Sequence, residues 1–103
     1  MSYIDELREI ICKLHGATAT HVESVPVTET FNGLTIWDGI VEVFDLHGHP
    51  GTHRVYAWSH ETDDDPGNPK RHVTVLHLPP VVSPITAVRA AIVQEYRNNA
   101  ETA

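Results

Sequence analysis

Three histidines fall within the seven residues from His47 to His53, H-G-H-P-G-T-H, and the chain holds eight in all. Neutral imidazole is the commonest metal ligand, and a His-x-His pair with a third His can hold zinc with one position open. His47, His49 and His53 are therefore the candidate ligands, and Asp45 could orient His47 or join it. No cysteine supports them, and no His-Glu-x-x-His spacing occurs. The acids Glu61, Asp63, Asp64 and Asp65 could suggest calcium, but an EF-hand loop needs acids at alternate positions, with Gly at the sixth and Glu at the twelfth. Consecutive acids before Pro66-Gly67 read instead as a solvated turn. Acid–base candidates are Glu42, Asp45, His47, Arg54 and His60, with no nucleophile among them. Ser59 and His60 are neighbours on a strand, so their side chains point to opposite faces and cannot form a Ser–His pair. No cofactor is expected, and the sequence leans away from an enzyme.

The elements that must position these groups are legible from caps, turns and periodicity. Residues 3–15 read as a helix: Ser2 can cap it, Asp5 follows in capping-box style, and Gly16 suits a left-handed stop. Tyr3, Ile4, Leu7, Ile10, Ile11 and Leu14 lie on one stripe, with Cys12 on the far side. Residues 84–98 read as a second helix, with Ser83 as N-cap, Pro84 in the first position and Ile85, Val88, Ile92 and Tyr96 as its stripe. The polar tail after Asn98 is expected to fray. Between the helices lie four strand signals, at 20–31, 34–47, 53–60 and 71–78. Asn32-Gly33 marks the first hairpin, and H-G-H-P-G-T-H the second. Leu78-Pro79-Pro80 ends the fourth strand, since proline cannot donate to the ladder. The order α-β-β-β-β-α predicts a single α+β domain spanning 1–103: a four-stranded antiparallel meander with two helices on one face. Alternate turns of a meander share an end, which gathers His15, His21, His47, His49, His53 and His77 at the end carrying the second hairpin.

A two-residue turn at Asn32-Gly33 pairs Phe31 with Leu34, Thr28 with Trp37 and Val25 with Ile40. A tight reversal at His49-Pro50 pairs Leu46 with His53, Phe44 with Val55 and Glu42 with Ala57. One face then carries Val25, Val27, Ile40, Phe44, Leu46, Val55 and Ala57, as a surface for the helices. The other carries Thr28, Trp37, Val41, Val43, His47, Arg54, Tyr56, Trp58 and His60. This second face is far more apolar than a solvated one should be, so it needs a cover. His47 and His53 come out on opposite faces, which leaves the metal site the weaker reading. A bulge near residues 43–44 would exchange the faces of part of the sheet, and both would remain apolar.

The net charge of −7, from 14 acids against 7 bases, disfavours nucleic acid and anionic membranes as partners. Cys12 is the sole cysteine, so no internal disulfide forms. No signal-peptide pattern opens the chain and no apolar run reaches the length of a membrane span, which suits a cytoplasmic protein. The helix–strand order has some likeness to the double-stranded-RNA-binding domain, α-β-β-β-α, but that family needs basic loops and this chain is acidic.

W-D-G at 37–39, V-E-V-F-D-L at 41–46, G-H-P at 48–50, Y-A-W-S at 56–59 and A-V-R-A-A-I-V at 87–93 resemble a group of short uncharacterised bacterial proteins. The resemblance spans residues 20–97; it implies a bacterial or phage-like origin and no particular chemistry. The expectation is a small cytoplasmic binding or assembly protein, a homodimer through the helix-free aromatic face formed by Trp37, Val41, Val43, Arg54, Tyr56, Trp58 and His60. The alternative is a small-molecule pocket or enzyme on that same face, with Arg54, His60 and His47 as its polar groups.

Overall fold

The computed structural model describes residues 2–61 and 70–102. Helix α1 (Tyr3–His15) is followed by strands β1 (Thr18–Phe31), β2 (Leu34–His47), β3 (Arg54–Glu61) and β4 (Lys70–Leu76), then by helix α2 (Pro84–Thr102). The strands form one antiparallel sheet in the order β1-β2-β3-β4, the α+β meander the sequence predicts. Ser2 Oγ accepts from the Asp5 amide at 3.2 Å, and Gly16 ends α1 with φ of 65°. Ser83 and Thr86 cap α2 reciprocally: Thr86 Oγ1 accepts from the Ser83 amide at 2.9 Å, and Ser83 Oγ from the Thr86 amide at 3.4 Å. Helix α2 runs past Asn98, its expected end, to Thr102. Among the described residues, no helix is long and apolar enough to cross a membrane.

The two helices do not share a face. Leu7 and Ile11 of α1 pack with Ala17, Ala19, Phe44, Leu46, Val55 and Ala57. Ala87 and Val88 of α2, with Val81 before it, pack with Val27, Val41, Val43, Tyr56 and Trp58. The expected placement of both helices on one face is therefore corrected. The reason lies in the strands. Val41, Val43, Tyr56 and Trp58 alternate with Phe44, Leu46, Val55 and Ala57 across the central strands, so each face carries a complete apolar set. Two helices on one side would leave the other set in water, at roughly 2 kcal/mol for each large side chain. The second face does have its cover, and the cover is α2 of the same chain.

Strand β1 serves both cores through a bulge. His21 pairs with Phe44 and Glu23 with Val43, leaving Val22 without a partner. The extra residue reverses the parity of β1. Ala19 and His21 consequently face α1, while Val25 and Val27 face α2, although all four are odd-numbered. The irregularity lies on β1, opposite the 43–44 step where the sequence suggested one. A second shift separates Glu29–Trp37 from Thr30–Thr35 and leaves Ile36 as the extra residue. Phe31 still pairs with Leu34, but Thr28 pairs with Asp38 and Val25 with Val41, each one residue from expectation. Val25 and Val27 thereby change sides, while Ile40 keeps the face of Phe44 and Leu46 but lies past the ladder with β3 and is 48% exposed. Past the tighter second turn no slip occurs, and Phe44–Val55 and Glu42–Ala57 pair as expected.

Strand β2 pairs with β1 over its whole length but with β3 only from Glu42 to Asp45. The outer part of the β1–β2 hairpin therefore extends past the ladder with β3 as an arm. Helix α2 supports one side of this arm through Val25, Val27 and Trp37.

Candidate functional surface

The residues expected to form an open aromatic face are brought together, but as core. Val41, Val43, Tyr56 and Trp58 are buried, and Ile85, Ala91 and Ile92 of α2 pack against their cluster. Trp37 is half-buried and meets Trp58 edge to face, with ring centroids 5.6 Å apart. Its indole lies over Gly39, where an added Cβ would come within 3.1 Å of Trp37 Cη2. W-D-G thus has a packing explanation: the glycine lets the indole lie flat along the strand. Arg54 remains half-exposed and donates to Asp45 Oδ1 at 3.3 Å. His60 sits on β3 opposite Arg71. A homodimer or ligand pocket on a helix-free Trp37–Tyr56–Trp58 face is overturned in its premise, because that face is not helix-free.

The histidines are gathered near the second hairpin and put to separate uses. His49 Nδ1 accepts from the Gly51 and Thr52 amides at 3.0 and 3.1 Å, so this imidazole holds the turn itself. His47 Nε2 and Thr20 Oγ1 share a hydrogen bond of 3.2 Å. His53 is exposed, its ring 6.2 Å from that of His77. Among the described residues, no group of three or more His, Cys, Asp or Glu side chains is arranged to hold a metal ion. The loop with Asp63, Asp64 and Asp65 lies outside the described residues.

His15, at the end of α1, meets Thr74 Oγ1 at 2.9 Å and lies edge-on to His49. Burial holds its imidazole below its ordinary pKa of 6.5, and the nearby His49 adds to this. A depressed folded-state pKa means that the unfolded chain takes up the proton more readily. The contribution of His15 is therefore complete above about pH 6.5 and is lost as the pH falls below that value. Thermal melts from pH 7.5 to 5 should show falling stability, and His15→Gln should flatten part of that slope. An unchanged slope in the variant would remove His15 from the account.

Two partly buried polar clusters escaped sequence reasoning. Tyr56, on the α2 side, shares a 2.7 Å hydrogen bond with His77 Nδ1. Burial pushes its phenol up, with the Arg54 charge opposing. On the α1 side Glu42 is 5% exposed, and its Oε1 accepts from His21 Nε2 at 3.0 Å and from Ser24 Oγ. The Val22 bulge makes this possible by placing His21 and Ser24, three apart in sequence, on the same face as Glu42. In both clusters the groups satisfy one another, which makes them packing devices. The only advance signal for the second was a glutamate amid the apolar run from Val41 to Leu46.

Among the described residues, the two most exposed large apolar side chains, Leu34 and Phe31, lie on the arm, ahead of Leu14 on α1 at 63%. Phe31, Leu34, Ile36 and Ile40 are 66%, 70%, 49% and 48% exposed. Residues 30–37, T-F-N-G-L-T-I-W, carry no charge in a chain of net −7. Comparison with known proteins identifies no relative: no protein-family model, no curated protein and no solved structure matches the chain significantly.

Proposed function

We propose that the chain is a small binding and assembly module that acts in the cytoplasm as a homodimer, joined through the free end of the β1–β2 arm. The observation that carries this reading is the exposure of Phe31, Leu34 and Ile36 together at the end of a hairpin that extends past the β3 ladder. Apolar side chains grouped on a surface mark a contact with another molecule. The charge favours a second copy meeting at this place. Two chains of −7 repel one another, and the uncharged stretch 30–37 lets them approach without apposing carboxylates. A two-fold contact of this kind uses the same patch on both copies. The reading keeps the binding and assembly role and moves the joint from the covered aromatic face to the arm.

Sedimentation equilibrium at micromolar concentration tests it. The wild-type chain should sediment above monomer mass, and Phe31→Ser with Leu34→Ser should remove this contact. The pair is exposed, so the variant monomer should stay folded, with an intrinsic stability change within about 0.5 kcal/mol, and its unfolding midpoint should no longer follow protein concentration. A wild-type protein that sediments as a monomer would sink the proposal.

A further inference from the structure

The two edges of the sheet are built differently. The β1 edge carries the Val22 bulge, Pro26 and the charged Glu23 and Glu29, all devices that keep another strand from adding. The β4 edge has neither bulge nor proline: its ladder with β3 is unbroken from Lys70 to Leu76, and its charges, Lys70 and Arg71, stand at one end and leave residues 73–76 uncharged. Arg54 O accepts from the His77 amide at 3.0 Å, so the odd-numbered residues of β4 turn their backbone groups toward β3. His72 and Thr74 therefore turn theirs outward. Val73, Val75 and Leu76 are only partly buried although they adjoin the two cores. His72 Nε2 is buried and has no hydrogen-bond partner among the described residues.

From these observations we infer that the outer edge of β4 pairs antiparallel with β4 of a second copy, centred on Val73, to give a continuous eight-stranded sheet. The register is self-complementary. It sets Lys70 against the partner's Leu76 and Arg71 against the partner's Val75, so no basic residue faces another. It also exchanges backbone hydrogen bonds between His72 and the partner's Thr74. Their side chains then stand side by side on the α1 face. This contact is separate from the one at the arm. A chain with both passes beyond the dimer, since each copy meets one neighbour at its arm and another at β4.

Sedimentation combined with amide hydrogen exchange on four proteins tests the inference. His72→Pro removes an outward N–H that the single sheet does not use, so the fold tolerates it on an edge strand. The wild type should exceed dimer mass. The arm variant and His72→Pro should each stop at a dimer, and the combined variant should be a monomer. In the arm variant, the amides of His72, Thr74 and Leu76 should gain protection as concentration rises, which needs no β4 substitution. If the arm variant is instead a monomer with fast exchange at these amides, the β4 contact is refuted while the arm contact stands. If the arm variant is a dimer, its wild-type parent is no larger and only His72→Pro dissociates it, the arm reading fails and the β4 contact stands.

Discussion

Trp58→Ala should cost about 3–5 kcal/mol, because the indole is a core side chain and its removal leaves a cavity. Trp58 is 3% exposed and touches Trp37 edge to face, beneath the α2 residues that close the face. Loss of the ring removes both the transfer free energy and the aromatic contact, and the surrounding strands cannot collapse to fill the space. Domains of this size are stable by only about 5–15 kcal/mol, so the variant stands near the threshold of folding. Urea titration monitored by far-UV circular dichroism measures the loss. The midpoint should fall equally at every protein concentration, since the contact lies within one chain. Had this face joined two copies, the loss would appear as dissociation, with a midpoint that follows concentration. A fully folded, dissociated Trp58→Ala monomer would contradict the covered face.

Glu42→Ala is expected to be the next most damaging change, at about 2–3 kcal/mol. The carboxylate, itself buried, is the shared acceptor for the half-buried His21 and the exposed Ser24. Truncation leaves the imidazole without its acceptor against Phe44, whose ring centroid is 5.3 Å away. It also frees the bulge that these two bonds pin on either side of Val22. Glu42→Gln keeps the shape and one carbonyl acceptor, so it should recover more than half of the loss. Chemical denaturation of the two variants side by side checks the order. Equal destabilisation by Ala and Gln would mean that the charge, and not the acceptor geometry, holds the site.

The arm and the two clusters differ in how far they could be read in advance. The caps at Ser2, Gly16 and Ser83 were legible because each depends on groups within a few residues, and the Asn32-Gly33 turn was legible for the same reason. The span of β2 from 34 to 47 was legible between two turn signals. The register of β1 was not. An unpaired residue at Val22 or Ile36 costs little locally, and its benefit comes from which core each following side chain reaches. The sequence of β1 is equally compatible with a straight ladder, so it places Val25 and Val27 on the wrong side.

The histidine-rich stretch shows the same division. H-G-H-P-G-T-H determined by itself that the chain reverses there, since Pro and Gly fit the turn and little else. Only the fold decided what the imidazoles do: His49 binds the turn's own amides, and His15 arrives from α1 to lie against it. By composition and periodicity the sequence determined an acidic α+β meander with apolar residues on both faces of its sheet. Only the tertiary structure decided that α2 covers the tryptophans, because the side a helix takes depends on the burial available across all four strands at once. That choice withdrew Trp37, Tyr56 and Trp58 from the surface and left Phe31, Leu34 and Ile36 upon it.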